Sequence, residues 1–239
     1  MIDPQILAVG PLWYVVFLLS LTCHEAAHAL VAWIGGDPTA YYGGQVTLNP
    51  IPHMRREPFG TIIVPILSYV LGGWMIGWGS APFDPSWQRR YPRRAAWMAL
   101  AGPMANVALV IAAAVGIHVG MALGALRAPG RIFGRQLFTH VVVATSPGSA
   151  EALAVFLSIL FSLNLLLGAF NLLPIPPLDG NTAVGIILPK GIAHRFAQFS
   201  HNRSFAMLGL LLGWTVFGYI FGPLFIAALN LLYLGTHYH

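Results

Sequence analysis

The sequence predicts an all-α polytopic membrane protein, with five or six transmembrane helices, a short β-hairpin element after the first helix, and a single domain over residues 1–239. Three observations predict it. Only 8% of the residues are charged and 57% are hydrophobic, against roughly 25% charged in a soluble domain. Four stretches, 58–83, 95–126, 152–178 and 204–239, contain no Asp, Glu, Lys or Arg, and each exceeds the roughly 20 residues a helix needs to cross hydrocarbon. Glycine and proline are frequent, which helices packed among other helices tolerate better than soluble ones do.

The first apolar segment runs from about Val9 to Ile34 and stops at Gly35-Gly36, with Asp37-Pro38 as a turn. The aromatic and β-branched residues around Gly43-Gly44 predict a strand or hairpin over Tyr41 to Leu48. A second span is expected from about Gly60 to Ala81. It would put the 35–58 connection and the loop carrying Arg89, Arg90, Arg93 and Arg94 on opposite sides of the membrane. Four arginines beside two membrane ends place that loop in the cytoplasm. A third span is expected over about Ala95 to Val119 and opens on the small residues of "ALAGPMAN", which let helices approach closely. A fourth is expected from Ala152 to about Leu173, where Pro174, Pro176 and Pro177 break the helix. A helical restart follows over Asn181 to Leu188, and Lys190, Arg195 and Arg203 mark a second basic connection before the final apolar stretch.

The net charge of +5 comes from arginines between apolar runs, so it reads as membrane orientation and not as a nucleic-acid surface. The one cysteine, Cys23, excludes an intrachain disulfide and reads as a small apolar core residue.

Within the first span, "HEAAH" puts His24 and His28 four residues apart, so both imidazoles share one helix face about one turn from each other. That is metal-ligand spacing. Glu25, about 100° away, can reach a metal-activated water without ligating the metal, as in other H-E-x-x-H sites. An ionised group at membrane depth costs at least about 3 kcal/mol and is functional by default. Two neutral histidines hydrogen-bonded to a neighbouring helix, beside a protonated Glu25, are the bland alternative. A catalytic zinc usually takes three protein ligands. Glu57, Asp84, Glu151, Asp3 and Asp37 lie at ends, turns or connections, whereas Asp179 follows the proline-broken backbone; it reads as the third ligand, as a cap on the restarting helix, or as both at once. Asn106, Asn164 and Asn171 sit in or beside apolar spans, as interhelical hydrogen bonds or as amide contacts to a substrate or an oxyanion.

"HEAAH" in an apolar helix, "GGQVTLNP", "AGPMAN", Asn164 and finally "NLLPIPPLDG" at Asn171 to Gly180, taken in that order, resemble the site-2 protease family of intramembrane zinc metalloproteases, in a compact form without a PDZ domain. The resemblance covers nearly the whole chain. It implies one Zn2+ per chain held by His24, His28 and Asp179, with Glu25 as catalytic base. It also implies hydrolysis of peptide bonds in or near the transmembrane segments of membrane-protein substrates, in a lipid bilayer expected to be a bacterial cell membrane. A transporter with a buried His/Asp ion site is the alternative of another class, but it would predict repeated architecture in two halves, which the sequence does not show. A scaffold that had lost catalysis would lack a ligand or Glu25, and all four residues are present.

Overall fold

The computed structural model describes residues 4–130, 138–188, 203–236 and 238. The all-α polytopic architecture expected from the apolar stretches is present. Helix α1 spans Pro4–Ile34, α6 Pro92–Ala122, α7 Ser149–Asn171 and α9 Arg203–Leu232. Among the described residues, four segments are long and apolar enough to cross a membrane: Ala8–Ile34, Pro92–Ala122, Ser149–Asn171 and Gly213–Leu232. Lys190 and Arg195 of the second basic connection lie outside the described residues.

The stretch expected as a second span behaves differently. It forms a π-turn over Phe59–Ile63 that runs into α4, Val64–Gly72, and ends at Gly73 with φ 77°. The positive φ needs a glycine there. Residues 75–84 then return without helix or strand. The 35–58 connection and the arginine loop therefore meet at one end of the molecule. Trp87 Nε1 and Arg94 Nη1 both donate to Gly35 O, at 3.1 and 3.0 Å, and the Asp84 amide donates to the buried Asp37 carboxylate at 2.7 Å. The 59–72 helix dips in and comes back, and the opposite-side placement is corrected. The sequence signal failed because an apolar run of 26 residues is long enough to cross, while Gly72-Gly73 divides it into a short helix and a return strap.

The β element is also elsewhere. Thr39–Tyr42 is a helical turn, α2, started by the Asp37 carboxylate, which accepts from the Thr39 amide and hydroxyl. Gly44, at φ 69°, turns the chain towards α3, Pro50–Arg56, whose first turn Asn49 caps through the Ile51 amide at 3.0 Å. Local side-chain to backbone bonds of this kind compete with strand pairing, so Tyr41 to Leu48 forms no strand. The described pairing is a two-residue antiparallel ladder, β1 at Leu126–Arg127 with β2 at Val143–Ala144, on the far side of α6.

Helix α6 packs against both α1 and α7, and α7 in turn against α1 and α9. Lipid tails are as apolar as leucine, so helix contact gains from close packing and internal polar bonds rather than from leaving water. Two devices serve this. Ala95, Ala99 and Gly102 on α6 and Ala26, Ala29 and Ala32 on α1 are all buried where the two helices pack, so the backbones approach closely. Farther from the arginine end, Trp13, Phe17, Ile117, Ile159, Leu163 and Phe225 interlock in the main core.

At the arginine end α5, Pro85–Arg90, is capped by Asp84, whose carboxyl is held below its ordinary range by the Ser86 hydroxyl and amide. Single cysteines placed at Gly43 and Arg93, in a chain with Cys23 replaced by Ala, should react with an impermeant thiol reagent from the same side of a sealed vesicle. Labelling from opposite sides would restore the 59–81 stretch as a full span.

Candidate metal centre

The middle of α1 turns its polar residues inward. Ser20, Thr22, His24, Glu25 and His28 are all buried among helices. The proline break after α7 carries the chain to α8, Asp179–Ala183, in which Leu178 is the N-cap and makes no side-chain cap bond. Asp179 is thus the first residue of α8 and not its cap, and its carboxylate is directed at α1. Its Oδ2 lies 3.0 Å from His24 Nε2 and 3.3 Å from His28 Nε2, and the two Nε2 atoms are 3.0 Å apart. Among the described residues this is the group of three or more His, Cys, Asp and Glu side chains able to hold a metal ion.

The partners of the other ring nitrogens show what this triangle suits. His24 Nδ1–H donates to Asn106 Oδ1 and His28 Nδ1–H to the Met98 carbonyl, both at 2.7 Å. Both partners accept, so in the neutral rings both Nε2 atoms carry bare lone pairs. Two imidazole lone pairs and a carboxylate oxygen then face one another with no hydrogen between them, and Asp179 Oδ2 has no hydrogen-bond donor. Such a set is repulsive on its own and attractive around a cation. Tetrahedral zinc ligands at about 2.0–2.1 Å from the metal stand about 3.3 Å apart, close to the observed edges. The N/N/O donor set is one that zinc accepts.

Room for the Nε2 ends of both rings is provided by a missing side chain. A Cβ on Gly102 of α6 would strike His28 Nε2 and stand 2.6 Å from His24 Nε2. The rings cannot swing aside cheaply, because each is tied through Nδ1. Gly180 has a matching role: a Cβ there would run into the Leu172 and Leu173 carbonyls, so the glycine lets α8 sit tightly against the end of α7. Gly79, on the strap returning from α4, packs against Glu25; a Cβ there would stand 2.7 Å from Glu25 Cγ and 2.9 Å from its Oε1.

Other sequence candidates lie apart from the triangle. Glu57 Oε1 accepts from Ser80 Oγ at 2.6 Å, and His53 Nε2–H donates to the Thr47 carbonyl at 3.1 Å. Asn106 and Asn164 are fully buried and bonded to each other. Asn171, at the end of α7, donates to Leu167 O within its own helix. Cys23 lines a groove of about 500 Å3 with Ala27, Leu30, Val46, Leu48 and Ala105. By helical arithmetic of about 100° per residue, that groove lies on the side of α1 away from Glu25. Sequence reasoning missed Gly79, the Met98 carbonyl and the part Gly102 plays beside the imidazoles. Gly102 alone had a signal, standing four residues before Asn106 on the same face of α6.

A multi-pass membrane protein with a buried His-His-Asp cluster beside a glutamate has the make-up of a membrane metalloprotease. The chain belongs to peptidase family M50, whose sequence model matches residues 12–216, and this is the site-2 protease family; its metal is zinc. The chain is 31% identical over 219 residues to a Bacillus subtilis protein named "Putative zinc metalloprotease YwhC", covering 91% of this chain and 87% of that one. It is also 31% identical over 210 residues to "Putative zinc metalloprotease Rip2" of Mycobacterium tuberculosis, covering 87% of this chain and 70% of the relative. No solved structure matches it significantly.

Gly102→Ala should lower zinc affinity and reduce hydrolysis by about 10²-fold, the scale of an ångström-sized misplacement. Gly185→Ala, whose Cβ would meet only the Ala96 Cβ at an ordinary 3.6 Å, should do neither. Asp179→Ala should weaken zinc by removing one of three ligands; chelator competition measures all three variants.

Proposed function

We propose that the chain is a zinc-dependent intramembrane endopeptidase that hydrolyses peptide bonds in or near transmembrane segments of membrane proteins, with residues 1–239 as one catalytic domain in a bacterial cell membrane. The observation that carries this reading is the meeting of His24 and His28, in a helix of spanning length, with Asp179 of α8. His24 lies ten residues from Ile34, about 15 Å from the arginine end at 1.5 Å per residue. With a hydrocarbon layer of about 30 Å, the site lies near mid-membrane, where a substrate's own span would be reached.

His24 Nε2, His28 Nε2 and Asp179 Oδ2 would hold the ion. Zinc, when bound, supplies a Lewis acid that polarises the scissile carbonyl and makes a water acidic near neutral pH. Glu25 accepts the proton of that water and passes it to the leaving amine nitrogen. Gly79 keeps the backbone of the 75–84 strap close to the Glu25 carboxylate, so the side chain acts in a confined space. The strap, without helix or strand of its own, offers main-chain groups beside which an unwound substrate can lie. The exposed Arg89, Arg90, Arg93 and Arg94 mark the cytoplasmic end.

Glu25→Gln keeps the size of the side chain and all three ligands but removes the base. Zinc content should stay at about one per chain while cleavage of a membrane-spanning peptide in liposomes falls by about 10² to 10⁴. Glu57→Gln should cleave like the parent. Undiminished proteolysis by the Glu25→Gln protein would overturn the mechanism with the metal site left standing.

A further inference from the structure

Asn106 and Asn164 have no exposed surface, yet both carry a primary amide whose four hydrogen-bonding positions are costly to leave empty. The bonds they make have a fixed direction. Asn164 Nδ2 donates to Leu160 O and to Ser20 Oγ, both at 2.8 Å. Leu160 O can only accept. The Ser20 hydroxyl spends its hydrogen on Val16 O at 2.7 Å, so its oxygen also accepts here. Both amide hydrogens of Asn164 are committed by groups that cannot reverse, which leaves Asn164 Oδ1 as an acceptor. Asn106 Nδ2 must then donate to it, at 2.8 Å. Asn106 consequently turns its Oδ1 to His24, whose Nδ1 must carry the proton.

We infer that Asn106 and Asn164 are positioning residues that set the tautomer of His24, through a one-way hydrogen-bond chain from the Leu160 and Val16 carbonyls to the ring. With Nδ1 protonated, the lone pair stays on Nε2, directed at His28 Nε2 and Asp179 Oδ2. The chain ties α7 and α6 to α1, so helix packing and the protonation pattern of the ligand are set together. His28 needs no such chain, because a backbone carbonyl, Met98 O, plays that part directly. This assigns the two asparagines a job in holding the metal ligand in place of contact with substrate or oxyanion. It rests on the zinc site of the proposed function.

The two roles demand opposite chemistry at Asn106. Positioning needs an acceptor facing His24; contact with a substrate carbonyl or an oxyanion needs a donor. Asn106→Leu removes both, whereas Asn106→Asp keeps the acceptor and loses the donor. Zinc affinity, measured by competition with a chromophoric chelator in detergent, should fall about 10- to 100-fold in Asn106→Leu, the usual effect of removing a ligand's supporting partner. Asn106→Asp should recover most of that affinity even though its melting temperature drops, since its oxygen now faces Asn164 Oδ1. Asn164→Leu frees Asn106 to turn over and should weaken zinc less than Asn106→Leu does.

Parent-like zinc affinity in Asn106→Leu, or equal loss in the Leu and Asp variants, would overturn the inference. A readout independent of folding of the variants is long-range proton–nitrogen NMR of the zinc-loaded parent with ¹⁵N-labelled histidine, in which His24 should show a protonated Nδ1. A protonated Nε2 on His24 would also overturn it. A parent protein that binds no zinc would instead remove the proposed function itself.

Discussion

Two imidazole nitrogens and a carboxylate oxygen meet with bare lone pairs inside a helix bundle built to lie in lipid. Three acceptors facing one another with no hydrogen between them are costly at membrane depth, and a cation or added protons must relieve them. The rest of the molecule can be read as the means of holding the three groups there. Helix α1 supplies both histidines from one face, the proline break after α7 turns Asp179 back towards them, and α6 contributes an absence, the missing side chain of Gly102.

Close packing accounts for how this is stable. Helices in lipid gain little from hiding apolar surface, so small residues and internal polar bonds carry more of the work. The alanines and Gly102 between α1 and α6 bring the backbones near enough for Met98 O and Asn106 to reach the histidines. At the arginine end, Gly35 O receives both Trp87 and Arg94, and Asp37 receives the Asp84 amide. These bonds fix where α1 ends relative to the start of α6, and hence the register at which His24 and His28 meet Gly102.

The helices and the residues that meet at the triangle were legible in the sequence for a common reason: both depend on short-range rules. A charge-free run of sufficient length, a histidine pair at i and i+4, and an aspartate after three prolines are local patterns with a physical meaning. What failed depended on long-range partners. Gly60 to Ala81 is apolar enough to cross, and only the bonds between Gly35 and the arginine loop show that it returns. Tyr41 to Leu48 has strand-like residues, but Asp37 and Asn49 draw its ends into helical turns. Asn106 was recognisable as an unusual polar residue in a span, while the direction of its amide could be known only once Leu160 and Ser20 were placed beside Asn164. Gly102 was read for helix approach, which is half of its part; the other half is visible only when the imidazoles are seen against it.

The central claim is that two imidazoles and one carboxylate, with no sulfur, hold a single zinc ion in the membrane. Zinc X-ray absorption spectroscopy on the purified protein in detergent tests it most directly. The account predicts two imidazole nitrogens and oxygen ligands at about 2.0–2.2 Å and no scatterer near 2.3 Å. A sulfur ligand at the longer distance, which only Cys23 or a methionine could supply, or a shell with fewer than two imidazoles, would contradict it.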